Sequence, residues 1–112
     1  MPATVILLHG LWMTGLELSI MQRRLQALGY HVVRFRYRMV NCSLKHNMHS
    51  LCRFIEQHSS DAAELHLVGH SLGGVLALQT LKRHPKLPVD KVVCLGSPLV
   101  DTRAGRFVER LG

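Results

Sequence analysis

The run Glu64-Leu65-His66-Leu67-Val68-Gly69-His70-Ser71-Leu72-Gly73-Gly74-Val75 constrains this chain more than any other stretch. An apolar segment with strand character, Glu64–Val68, passes almost directly into a helical pattern from Leu72 to Lys82, with one serine at the corner. Gly69 and Gly73 stand two residues either side of Ser71, where any side chain would crowd the close approach of strand and helix. Gly74 extends that bare surface. The spacing is G-x-S-x-G, the pattern of a nucleophile elbow. It sets Ser71 at the N-terminal end of a helix, where free N–H groups and the helix dipole favour developing negative charge. The competing reading is a plain helix start with Ser71 as its cap. Three fixed positions are a weak signal alone. The apolar strand before them, the amphipathic helix after them and the small residues at the corner favour the elbow.

The rest of the chain alternates strand and helix patterns, as parallel α/β units do. Thr4–Leu8 is almost wholly apolar, as expected of a strand covered on both faces. His9 to Gly15 reads as a loop. A helix follows, with Thr14 and Glu17 as a capping box, an apolar stripe of Leu18, Met21, Leu25 and Leu28, and Gly29 as its stop. His31–Tyr37 is the expected second strand and Arg38–Ser43 a connection. The next helix runs from about Leu44 to His58, with Leu44, Met48, Leu51 and Ile55 on one stripe. After the helix that begins at Leu72, Pro85 and Pro88 mark the exit, Val89–Leu95 is a fourth strand, Gly96-Ser97-Pro98 breaks it, and Arg103–Leu111 has a helical pattern. The expected fold is α/β, a three-layer sandwich around an open parallel sheet with right-handed crossovers. The 112 residues form at most one domain, spanning 1–112.

Composition closes off several classes of function. Apolar content of 47% with 19% charged residues argues against disorder. The apolar run ahead of His9 is too short for a signal-peptide core or a spanning helix, so no transmembrane segment and a cytoplasmic location are expected. Cys42, Cys52 and Cys94 form no C-x-x-C pair and read as structural thiols, Cys94 in the core. The formal charge is +7. Arg34, Arg36 and Arg38 alternate with Val33, Phe35 and Tyr37, which suggests a strand with one basic face or edge. No recognition module accompanies it, so nucleic acid is not an expected partner. A solvated surface is the preferred reading of these charges, with an anionic surface or substrate as the alternative.

A serine nucleophile in acyl transfer needs donors aimed at the oxyanion. One expected donor is the backbone N–H of Leu72, the residue after Ser71. The second is expected from the loop after the first strand, where Gly10 permits a tight turn and the N–H of Leu11, or next to it Trp12, is the candidate. His9 reads as a brace for that loop, and His70 as a packed or hydrogen-bonded neighbour of the turn. Trp12, Met13 and Leu16 suit either an acyl-pocket wall or the core. His46 and His49 share a helix face, but no further ligands accompany them, and a metal site is not expected.

Val5-Ile6-Leu7-Leu8-His9-Gly10, followed later by Leu67-Val68-Gly69-His70-Ser71-Leu72-Gly73-Gly74, strongly resembles the α/β-hydrolase superfamily, and within it the small lipase and esterase-like branch. Val89–Leu95 with Gly96-Ser97-Pro98 also resembles the strand and loop after the nucleophile helix in lipase-like members. The resemblance covers essentially the whole chain. It implies a serine hydrolase acting on an ester, thioester or sometimes amide bond, with no metal or organic cofactor, a small hydrophobic ester as substrate and Ser71 as nucleophile.

The pattern is incomplete. In this superfamily an acid and then a histidine follow the serine in chain order. The one histidine after Ser71 is His84, at the far end of the next helix and roughly 18 Å away, so a general-base histidine is absent. Asp101, beyond the fourth strand, is a candidate acid, though a solvent-facing or helix-start role is its preferred reading. Asp90, at the opposite end of that strand, is not a candidate. The expected domain is therefore a partial α/β hydrolase lacking its C-terminal strands, inactive if it stands alone. The alternative is a non-catalytic, hydrolase-like binding module, with self-association through an exposed sheet edge.

Overall fold

A computed structural model of the chain describes residues 2–10, 15–38, 42–60 and 63–96. Four strands and three helices alternate: β1 (Thr4–Leu8), α1 (Gly15–Ala27), β2 (His31–Phe35), α2 (Leu44–Ser59), β3 (Leu65–His70), α3 (Leu72–Arg83) and β4 (Lys91–Leu95). All pairings are parallel, in the order β2-β1-β3-β4.

The apolar run of β1 follows from its place inside the sheet. Its residues are buried on both faces. Val5 and Leu7 join Leu18 and Val32 beneath α1, with Met21 and Leu25 packed beside them. Ile6 and Leu8 face the other way, into the larger core of Met48, Leu51, Ile55, Leu67, Leu76, Ala77 and Val92 supplied by α2, α3 and the neighbouring strands. One helix on one face and two on the other make the three layers.

Several expected boundaries move, each for a pairing reason. β2 stops at Phe35 rather than Tyr37, because β1, its one neighbour among the described residues, ends at Leu8, the register partner of Phe35. The alternating basic strand face is therefore corrected. Only Arg34 lies in the strand, and its guanidinium donates to Gln22 Oε1 (2.6 Å) and Ser19 Oγ (3.0 Å) on α1. β3 runs on to His70, because β4 offers Leu95 opposite it. β4 begins at Lys91 rather than Val89, whose N–H donates instead to the Leu87 carbonyl in a turn. The expected stripes overreach at their ends. Leu28 lies past α1 and Leu44 opens α2, and both are exposed. Gly29 follows α1 with φ +96°, a left-handed stop.

Ser43 caps α2, accepting from the His46 N–H at 3.0 Å. Cys52 and Cys94 are buried, Cys42 is half-buried, and none of the three is in a disulfide. Burial and the nearby Glu56 carboxylate push the Cys52 thiol up from its ordinary value. Among the described residues no helix is long and apolar enough to cross a membrane, and no three His, Cys, Asp or Glu side chains are grouped to hold a metal ion. The expected capping residue Thr14 and the helical pattern at Arg103–Leu111 lie outside the described residues, as do Trp12 and Met13.

Candidate active site

Strand order sets the position of the site. From β1 the chain crosses to one side to make β2, then returns to the other side of β1 to make β3. The connections leaving the carboxyl ends of β1 and β3 thus diverge, which opens a crevice between those two ends, the usual ligand position in open α/β sheets. His9 and Gly10 leave β1 there, and Ser71 leaves β3 beside them.

Ser71 has φ 55° and ψ −122°, and it is the non-glycine residue with positive φ among those described. An L-residue in that region carries strain of about 1–3 kcal/mol. Two backbone bonds hold the turn: the Ser71 N–H donates to the Leu95 carbonyl on β4 (2.8 Å), and the Gly74 N–H donates to the Ser71 carbonyl (3.0 Å). The Ser71 side chain makes no capping hydrogen bond to α3. A plain N-cap would have extended backbone and would accept from the first helical turn. Ser71 does neither, so the cap reading fails.

Close contacts explain the glycines. A Cβ on Gly69 would sit 2.5 Å from Gly74 N and 2.6 Å from Gly73 C, so strand and helix backbones touch at this point. On Gly73 it would meet the carbonyl oxygens of Leu8 and His9 at 2.5 and 2.7 Å. On Gly10 it would meet Ser71 Cβ and the His70 carbonyl oxygen, both at 2.8 Å. The loop after β1 is thereby pressed against the serine. Gly74 is buried, and its carbonyl accepts a long contact from Cys94 Sγ at 3.8 Å.

Tyr37 fastens that loop from the β2 side. Its hydroxyl donates to the His9 carbonyl at 2.6 Å, and its ring stacks on the His9 imidazole with centroids 4.4 Å apart. Phe35 also stacks on Tyr37, with centroids 5.5 Å apart. Burial pushes the Tyr37 phenol up from its ordinary value. His9 Nδ1 also lies 3.3 Å from the Gly10 carbonyl. No sequence motif pointed to Tyr37. The aromatic pair Phe35 and Tyr37 leaving a strand was its one visible sign.

The remaining candidates separate clearly. Leu72 begins α3 with its side chain partly exposed, and its N–H stands in the first turn, where a helix offers no internal acceptor. His70 Nδ1 is buried with no partner among the described residues, and lies 3.0 Å from where a Cβ on Gly10 would stand. His84 is the C-cap of α3, with Ser71 at the opposite end of the helix. His46 and His49 are exposed on α2. Asp90 sits at the start of β4, its carboxylate accepting from the Leu65 N–H at 2.8 Å. Leu11, Trp12 and Asp101 lie outside the described residues. No described histidine hydrogen-bonds Ser71.

A family model described as the alpha/beta hydrolase fold matches residues 3–109. The chain belongs to the α/β-hydrolase-fold family. Solved structures share its architecture. An α/β-hydrolase enzyme from a sediment metagenome of the Mar Chica lagoon, Morocco, superposes with TM-score 0.74 at 22% identity, covering 100% of this chain and 52% of that one. A monoacylglycerol lipase from Paleococcus ferrophilus gives 0.70 at 21% identity, covering 97% and 46%. Alpha/beta hydrolase domain-containing protein 10 from mouse gives 0.60 at 18%, covering 97% and 50%. The chain thus spans about half the length of these structures. No curated protein sequence matches it.

Proposed function

We propose that this α/β-hydrolase-fold chain carries the nucleophile and oxyanion side of a serine hydrolase that transfers acyl groups from carboxylic esters to water. The observation that carries the reading is the backbone of Ser71, forced to φ 55° between β3 and α3, with Gly10 held against its Cβ. Strain of this kind persists where surrounding structure imposes it. Here the imposing contacts are those of Gly69, Gly73 and Gly10.

In this reading Ser71 Oγ attacks the ester carbonyl and the C=O π pair moves onto oxygen. The N–H of Leu72 stabilises that oxyanion, together with the N–H of Leu11 or Trp12 from the loop that Tyr37 and His9 brace. Collapse expels the alcohol and leaves an acyl-enzyme, which water cleaves to the acid, restoring Ser71. The general base that takes the Ser71 proton is assigned to a residue outside the described ones, and Asp101 stays a candidate acid. Residues 1–112 then form part of a single hydrolase domain, with a cytoplasmic location as the working expectation. A monoacylglycerol lipase among the similar structures agrees with an ester substrate.

The separation of His84 from Ser71 along the whole of α3 favours a second reading, a non-catalytic module that binds an acyl ligand or a partner in the same crevice. Hydrolysis of short-chain 4-nitrophenyl esters by the full-length protein separates the two. Turnover abolished by Ser71→Ala supports the enzyme. A folded protein without turnover supports the module.

A further inference from the structure

Charge is distributed unevenly about the Ser71 crevice. Arg36 and Arg38 follow the carboxyl end of β2 and are exposed. They flank Tyr37, whose hydroxyl holds the His9 carbonyl, and the next residue, Gly10, abuts Ser71. The two arginines therefore stand on the β2 rim of the crevice. Asn47 Nδ2 donates to the Arg38 carbonyl at 2.8 Å, tying that rim to the first turns of α2. Exposed Lys45 lies in the same turn, which contains no acidic residue.

The carboxylates whose side chains are described stand at the other end of the sheet. Glu56 is in the last turn of α2, Glu64 immediately precedes β3 and Asp90 immediately precedes β4. Glu64 is engaged by His66 Nε2 at 3.0 Å, and Asp90 by the Leu65 N–H. No described carboxylate pairs with Arg36, Arg38 or Lys45. Glu17 lies in the first turn of α1, after the carboxyl end of β1, so it is the β2 side of the crevice that is basic, and a basic rim concentrates ligands of the opposite sign. Guanidinium groups suit planar carboxylate and phosphate oxygens in particular.

We infer that the ester received by Ser71 carries an anionic group, a carboxylate or phosphate, held on the β2 rim by Arg36 and Arg38. This rests on the serine-hydrolase reading above. The basic end of the sheet then selects substrate as well as keeping the surface solvated. The anion has two sources, a soluble anionic ester or the headgroups of an anionic lipid surface, and the soluble ester is the one that fits a rim of two arginines.

The test uses the full-length protein and two fluorophosphonate probes of equal chain length, one ending in a methyl group and the other in a carboxylate. At low ionic strength the carboxylate probe labels Ser71 faster, by roughly 3- to 10-fold. The advantage shrinks in high salt and falls toward parity in Arg36→Gln/Arg38→Gln, a variant whose folding is checked by thermal melting. Equal rates for the two probes, or a preference indifferent to the double substitution, overturn the inference. Binding is read separately through the amide NMR shifts of Gly10 and Leu72 on titration with monobutyl succinate and with its neutral methyl ester. A response to the anion alone supports the inference even if neither probe labels Ser71, in which case only the nucleophile reading has failed. No response to the anion, or a response only when anionic phospholipid vesicles replace the soluble ester, overturns it.

Discussion

Gly10 and Ser71, sixty-one positions apart in the sequence, are so close that a methyl group on the glycine would stand 2.8 Å from the serine Cβ. The same methyl would meet the His70 carbonyl oxygen at 2.8 Å, and backbone cannot swing aside as a flexible side chain does. Gly10→Ala is therefore expected to push the β1 loop off the elbow. Overpacking of this kind costs about 1–3 kcal/mol. Urea denaturation should report that loss, and labelling of Ser71 by a fluorophosphonate should slow at least about tenfold as the oxyanion donors move.

Gly69→Ala should be worse. Its methyl would meet backbone atoms of Gly73 and Gly74 at 2.5–2.6 Å, so β3 and α3 would have to separate. The expected loss is about 3 kcal/mol or more. Chemical denaturation of the variant, if it can be purified folded, checks this, and a variant as stable as the parent would contradict the close approach.

The strain at Ser71 predicts a stability gain from replacing the serine with glycine. Glycine adopts φ 55° without Cβ conflict, so Ser71→Gly should stabilise the fold by about 1 kcal/mol net of the greater freedom of its unfolded chain. Ser71→Ala keeps the Cβ and should leave stability within about 0.5 kcal/mol. Thermal melting of the two variants side by side checks the difference, and both should be inert to the fluorophosphonate.

Tyr37→Phe removes the donor to the His9 carbonyl and should cost about 1 kcal/mol. It should also change the alkaline limb of the stability profile. Because burial raises the folded phenol above its ordinary value of about 10, the unfolded chain loses this proton first. The Tyr37 contribution is then complete below pH of about 10 and is lost as pH climbs toward the folded value. The stability gap between parent and Tyr37→Phe should be constant through neutral pH and narrow above about 10. Denaturation midpoints across that range measure it.

The elbow was legible because it is local. Gly69, Ser71 and Gly73 lie close together in sequence, and the contacts that require glycine at 69 come from Gly73 and Gly74 in the same run, whereas those at Gly73 come from Leu8 and His9 beside β1. β1 was legible because burial on both faces removes polar residues from a strand. Strand ends were not, since each is decided by a neighbour distant in sequence. Phe35 ends β2 because Leu8 ends β1, and His70 belongs to β3 because Leu95 lies opposite. Tyr37 and His9 meet across the crossover connection through α1, and the sequence carries no spacing rule for that contact. Arg34 looked like part of a basic face, yet its partners Gln22 and Ser19 on α1 became visible only once α1 was seated on β2.

Whether Ser71 acts as a nucleophile is read by covalent labelling of the full-length protein with a fluorophosphonate, followed by peptide mapping. The expected result is a single adduct, on Ser71, lost in Ser71→Ala and slowed in Gly10→Ala. A folded protein that takes no label at Ser71, or one whose labelling survives Ser71→Ala, would contradict it.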